Sequence, residues 1–302
     1  MPPSSNLAEQ VILITGASTG IGASLAQVLA QQYPGIRLVL AARNLEKLDA
    51  VATLCYASGS QALTDAADLA HIHQVQALAK TALNRFGQVD ALVNHAGYGQ
   101  MEVLELVPPE AARRQFEVTV LGPLTLIQAL IPAMRDRGGG KIINISSIGG
   151  RTASPLGGLY SASKFALEAL SDTLRMELQP FNIQVSVIEP SPVSTNFFEV
   201  VRQEITKIFP NPETTPDHAA FQKMEALEQQ TSANAWTSER VAGAIIKALN
   251  TRRPQPRYVE ATGGRFLLFF LTKVRSTRTV DRFWQRFYGL DFVAKGWKRS
   301  HQ

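Results

Sequence analysis

Seven short apolar runs alternate along the chain with longer segments whose apolar residues recur every three or four positions. "VILIT" (11–15) has no polar interruption until its last residue, as expected of a parallel strand covered on both faces. "IRLVLAAR" (36–43), "QALTDAADL" (61–69), "VDALVNHAG" (89–97), "GGGKIINISS" (138–147), "IQVSVIEPSP" (183–192) and "RYVEA" (257–261) read as the later strands. Helical spacing fills the intervals. Segment 44–57 places Leu45, Leu48, Val51 and Ala52 on one face. Segment 71–87 ends on Gly87, a helix stop, and 237–250 begins with N-cap residues. A long helix is expected from about Pro109 to Arg137, and another over 159–178. Strands separated by such helices predict an α/β fold, a doubly wound parallel sheet in one domain over 1–262, with right-handed crossovers. Residues 209–236 carry the weakest pattern and read as a loop or lid over a site.

Composition narrows the picture. In 302 residues, 45% are hydrophobic and 18% charged, the balance of an ordinary globular chain. Cys55 is the sole cysteine, so no disulfide framework is expected. The five histidines (71, 73, 95, 218, 301) form no ligand pattern, and no metal is expected. Residues 1–10 lack an apolar stretch of signal-peptide type, and the run 266–271 is too short to span a bilayer. A cytoplasmic location, with peripheral membrane contact through the tail, is the expectation. Residues 251–302 hold 12 of the 30 Lys+Arg and 3 of the 25 Asp+Glu, so the net charge of +5 belongs to this tail. Its segment 263–299 interleaves basic and bulky apolar residues and stands apart as a C-terminal extension over 263–302. Three readings of it stay open: packing on its own domain or a second subunit, docking on an anionic membrane, and nucleic-acid binding, the least favoured.

Candidate chemistry starts at "TGASTGIG" (15–22), between the first strand and first helix. Gly16 can adopt angles closed to other residues, while Gly20 and Gly22 permit close approach. A helix start offers free N–H groups to a pyrophosphate, with Ser18, Thr19 and Ile21 in the same turn. The second strand ends on Ala42 and Arg43 with no carboxylate for a ribose 2′-hydroxyl. Arg43 suits a 2′-phosphate, so NADP(H) is preferred over NAD(H). Asp68 and Leu69 follow the third strand, where an adenine would lie. Tyr160 and Lys164 stand one helical turn apart. Alone, such a pair means little. An ammonium beside a phenol nevertheless lowers its pKa from about 10 toward a useful range.

Five motifs together, "TGASTGIG", "NHAG" (94–97), "INISS" (143–147), "YSASK" (160–164) and "PSPVST" (190–195), resemble the short-chain dehydrogenase/reductase family over about 8–262, most nearly its hydroxysteroid and retinol dehydrogenase-like branch. The resemblance implies hydride transfer between a nicotinamide and a CH–OH or carbonyl carbon. It implies that Tyr160 is the acid/base, that Lys164 tunes it and holds the nicotinamide ribose, and that Ser147 holds the substrate oxygen, Ser146 being the adjacent decoy. Asn94, Ala96, Gly97, Pro190, Val193 and Thr195 would complete the cofactor site, with Asn94 bracing the fourth strand and Thr195 bonding the nicotinamide carboxamide. Thr119 stands where the family has an Asn that marks a helix distortion and carries a proton relay. His95 and Ser191 replace a common Asn and Gly. The family commonly forms dimers or tetramers, implying a homo-oligomer. Apolar Leu156, Leu159, Val193, Phe197 and Phe198 suggest a lipophilic small-molecule carbonyl or alcohol. A catalytically weak NADP(H)-binding regulator or scaffold is the alternative.

Overall fold

A computed structural model describes residues 6–208, 221–222, 235–290 and 293. Seven strands form one parallel sheet: β1 (Val11–Thr15), β2 (Arg37–Ala42), β3 (Gln61–Ala66), β4 (Ala91–Asn94), β5 (Gly140–Ile145), β6 (Ile183–Pro190) and β7 (Arg257–Glu260). Their order is β3-β2-β1-β4-β5-β6-β7. The chain winds outward from β1 to β3 and then returns to β1's other side at β4, so a crevice opens between the ends of β1 and β4.

The helices are α1 (Gly20–Gln32), α2 (Leu45–Ala57), α3 (Ile72–Phe86), α4 (Pro109–Phe116), α5 (Gly122–Asp136), α6 (Gly158–Leu178), α7 (Phe197–Ile208), α8 (Ser238–Asn250), α9 (Gly264–Phe269) and α10 (Thr277–Phe287). Alternation along each strand divides the core. Ile12, Ile14, Leu38 and Leu40 face α1, α2 and α8, whereas Val11, Leu13, Val39 and Ala41 face α3, α5 and α6. Every residue of β1 is buried, which accounts for its unbroken apolar run.

Local signals act as their chemistry suggests. Asn44 caps α2 by accepting from the Lys47 amide at 2.9 Å. Thr237 does the same for α8 through the Arg240 amide at 3.3 Å. Gly87 closes α3 in the left-handed region at φ +72°. The long helix expected from Pro109 is interrupted: Glu117–Leu121 wind as a π turn between α4 and α5. Over Pro109–Asp136 this helix is long and apolar enough to cross a membrane, yet Leu126, Ile127, Leu130 and Met134 are buried in the core beside α3. α7 is a helix that the hydrophobic pattern does not predict. The lid expected over 209–236 lies outside the described residues except at 221–222 and 235–236; Phe221 and Trp236 are buried in the core.

Candidate active site

The crevice is a cleft of about 1040 Å³ at the ends of the central strands. Its nucleotide end is shaped by the turn after β1. Gly16 and Gly20 sit at φ +71° and +57°, where a side chain is strained. A Cβ on Gly16 would stand 2.8 Å from His95 Nδ1, and one on Gly22 only 2.4 Å from the Gly16 carbonyl oxygen. Gly22 therefore lets α1 press against the turn and does not line the cleft. Thr19, at the N-cap of α1, makes no side-chain capping bond, so the first amides of α1 face the cleft without a protein acceptor from that cap. Ser18, Thr19, Gly20 and Ile21 all line it. A turn whose Gly16 and Gly20 carry no Cβ and a helix start with free amides fit a dinucleotide pyrophosphate. Thr15 ties the turn to β4: its Oγ1 accepts from the His95 and Ala96 amides, both at 3.1 Å.

Farther along, Arg43 and Lys47 line the cleft beyond β2, with no carboxylate at the end of that strand. Asp68 is engaged: it accepts from Arg114 Nη2 at 2.9 Å and from the Ala70 amide at 3.0 Å. Burial works to raise its carboxyl, but these bonds and the Arg114 and Arg43 charges leave it below the usual range.

At the opposite end, β5 and α6 bring Ser147, Tyr160 and Lys164 onto one wall. Ser147 lies within hydrogen-bonding reach of the Tyr160 phenol and also accepts from the Gly149 amide at 3.0 Å. Lys164 Nζ donates to the Ile145 carbonyl at 2.8 Å and lies 5.8 Å from the Tyr160 ring centroid. Phe197 packs edge-on to Tyr160 at 5.6 Å. Burial takes the Lys164 ammonium down to about 8, partly opposed by Glu168 one turn on. Burial also holds the phenol above its ordinary value, and the Ser147 bond offsets only part of that. The lowering of Tyr160 expected from Lys164 is thus not met in the chain alone. Burial, which disfavours the charged phenolate, is the larger effect. His95 beside the turn is pushed to about 4, first by burial and then by the Lys164 charge.

The short chain dehydrogenase family matches this chain over residues 10–206. The protein is a short-chain dehydrogenase/reductase. Human 17-beta-hydroxysteroid dehydrogenase type 1 is 33% identical over 266 residues, covering 86% of this chain and 80% of that protein. A metagenomic short-chain oxidoreductase in complex with NADP superposes with TM-score 0.66 at 28% identity, over 86% of this chain and 100% of the other. A short-chain dehydrogenase/reductase from Burkholderia phymatum in complex with NAD does so with TM-score 0.77 at 26% identity, over 87% and 92%. The expected family and doubly wound fold are therefore borne out, and the chain is an oxidoreductase of CH–OH groups that binds NAD(P)(H).

Within this dehydrogenase most expected residues converge. Ala96, Gly97, Leu69, Pro190, Val193 and Thr195 line the cleft with those above. Asn94 does not: its Nδ2 donates to Asn144 Oδ1 at 2.9 Å, pinning β4 to β5 at their paired residues. Thr119 is also off the cleft, 1% exposed within the π turn, where its hydroxyl accepts from Gln115 Nε2 at 2.8 Å. A methyl group imagined on Gly97 would stand 3.7 Å from Lys164 Nζ and 3.9 Å from Thr119 Oγ1, so Gly97 separates the two. Ser146 also lines the cleft, but its hydroxyl lies on the side of Gly150 and Glu168. Leu156 and Leu159 leave the pocket wall; Leu156, at φ +63°, packs with Val201, Ile205 and Phe221.

Sequence reasoning missed several groups. Gln115 also donates to Ser163 Oγ and the Tyr98 carbonyl, both at 3.2 Å; its position four before Thr119 was the available signal. Behind Lys164, Arg257 binds Glu168 at 3.0 Å, Glu189 at 3.2 Å and Asp172 at 2.6 Å. Trp284, Phe287 and Tyr288 of the extension line the cleft. Their spacing of three and four along one helix marks a shared side.

Proposed function

We propose that this dehydrogenase prefers NADP(H) and interconverts a lipophilic ketone or aldehyde with its alcohol, Tyr160 exchanging the proton. The observation that carries this reading is the convergence of Ser147, Tyr160 and Lys164 on one wall of the cleft whose other end holds the glycine turn. Bound NADP(H) supplies or accepts the hydride. Ser147 donates to the substrate oxygen and holds it beside the Tyr160 hydroxyl. Tyr160 gives its proton to that oxygen in reduction and takes it back in oxidation. Lys164, fixed to the Ile145 carbonyl, presents its remaining N–H groups toward the cleft and favours the phenolate as it forms.

Two cations, Arg43 and Lys47, at a strand end without a carboxylate support the preference for a 2′-phosphate. Met101, Val118, Phe197, Phe198 and Trp284 support a lipophilic substrate. The name of the hydroxysteroid relative points the same way.

The test follows NADPH oxidation against a panel of lipophilic and short polar carbonyls. Tyr160→Phe is expected to lower kcat by about 10²–10⁴-fold with NADPH binding intact. Undiminished turnover would overturn the assignment. Normal NADPH binding by the native chain with no turnover across the panel would favour the regulator reading.

A further inference from the structure

The C-terminal extension shows two faces that the chemistry of the cleft does not use. On α10, Trp284 and Tyr288 turn inward: both line the cleft, and Tyr288 packs with the cluster around Val201. Phe283 and Phe287, stacked at 5.9 Å, remain 43% and 40% exposed. Arg278, Arg282 and Arg286 recur every four residues and form a separate cationic row. On α9, Phe266 and Phe269 are exposed at 74% and 58%. Four large aromatics left in contact with water are costly to a chain that could have packed them or used polar residues. Segment 263–290 carries six Lys/Arg against one Asp, whereas residues 1–250 hold 18 against 22.

We infer that this face docks the protein on an anionic lipid bilayer, with the phenylalanines inserted at the acyl boundary and the arginines at headgroup level. Three observations select that partner. The helices are short, 6 and 11 residues, so they suit the plane of an interface and cannot span a bilayer. A symmetric contact between two copies would set the arginine row against its own equivalent, like charge on like. Phe287 both lines the cleft and stays exposed, so the aromatic face runs into the cleft mouth. A lipid-dissolved substrate reaching that mouth never crosses water; a nucleic acid would gain nothing from this continuity. This deepens the proposed function, resting on it only for the lipophilic substrate.

The full chain is mixed with vesicles of phosphatidylcholine alone, or with added phosphatidylglycerol, and floated through a density gradient. It is expected to float with the anionic vesicles, at least about tenfold less with the neutral ones, and to be released by salt. Phe266→Ser/Phe269→Ser/Phe283→Ser is expected to lose flotation while binding NADPH as before, since none of the three lines the cleft. Arg278→Gln/Arg282→Gln is expected to cut flotation about tenfold at low salt. The inference is overturned if the native chain stays at the bottom of the gradient. It is equally overturned if the triple variant floats undiminished, or if single-stranded DNA binds more tightly than the anionic vesicles. Flotation is independent of turnover: a chain that floats but reduces no carbonyl keeps the docking and loses the enzymatic reading, and the reverse result does the opposite.

Discussion

The two walls of the cleft are built by different physics. The inner wall comes from strand ends and the turn after β1. Its shape is set by backbone: two glycines at positive φ, a helix pressed onto the Gly16 carbonyl, and Thr15 joining β1 to β4. The outer wall comes from α7 and α10 and consists of rings: Phe197 and Phe198, then Trp284, Phe287 and Tyr288. Those rings meet one another at centroid separations of 5.5–6.1 Å within each helix, with few polar bonds. Backbone geometry tolerates almost no change, whereas aromatic packing adapts to it. The inner wall is accordingly rigid and the outer wall replaceable.

The largest test of that contrast is Gly22→Ala. Its new Cβ would meet main chain, which cannot swing aside, so the variant is expected to lose about 2–3 kcal/mol of stability. Its NADPH affinity should fall at least tenfold. A native melting temperature and Kd would mean the inner wall yields. Arg43→Asp comes next: removing a cation and adding an anion where a 2′-phosphate would lie should move the NADP/NAD ratio of kcat/KM by about tenfold or more toward NAD. An unmoved ratio would mean that Lys47 or another group reads the phosphate.

His95 supplies a test of charge on the inner wall. Its folded pKa of about 4 is below its unfolded value, so the unfolded chain binds more protons between those values. Its contribution is therefore constant above about pH 6.5 and is lost as pH falls toward 4. Thermal melts at pH 7 and 5 should show roughly 1–2 kcal/mol of acid sensitivity that His95→Asn removes. Equal sensitivity in both proteins would place the titrating group elsewhere. Trp284→Ala should have the smallest effect on the protein itself. It is expected to raise KM for a bulky apolar carbonyl several-fold and to leave NADPH binding and the melting temperature nearly unchanged. A lost cofactor site would mean that the walls are not independent.

The same contrast decides what was legible in the sequence. The central strands could be read because burial on both faces leaves apolar runs such as "VILIT", whereas the edge strands β3 and β7, only partly buried, were read from their place in the alternation. The glycine turn and the Tyr160–Lys164 pair were legible because they depend on local backbone and one helical turn, while Ser147, at the end of another element, followed only from the family resemblance. α7 was not, since its buried positions, Val201 and Ile205, pack on Leu156 and the tail rather than on the sheet. The outer wall escaped for a similar reason: nothing in residues 147–164 announces a partner at 284–288. Leu156 and Leu159 looked like pocket residues only because an apolar side chain gives no hint of which apolar neighbour it faces. Asn94, grouped with the cofactor residues by its motif and expected to brace the fourth strand, does the bracing through its amide on Asn144 and does not line the cleft. Arg257 reaches Glu168 and Glu189 across 89 and 68 positions, a distance no periodicity spans.

The π turn at Glu117–Leu121 sets the rotational phase of the helix that follows it. It carries one more residue than an α turn in the same rise. Straightening it into regular α winding with every residue kept would rotate everything downstream by about 100°. Leu126, Leu130 and Met134 would then swing out of the core, and Gly122 would no longer meet the Leu69 carbonyl where only a glycine fits. The bulge is therefore a phase adjuster: it keeps α4 in step with the cleft and α5 in step with the sheet.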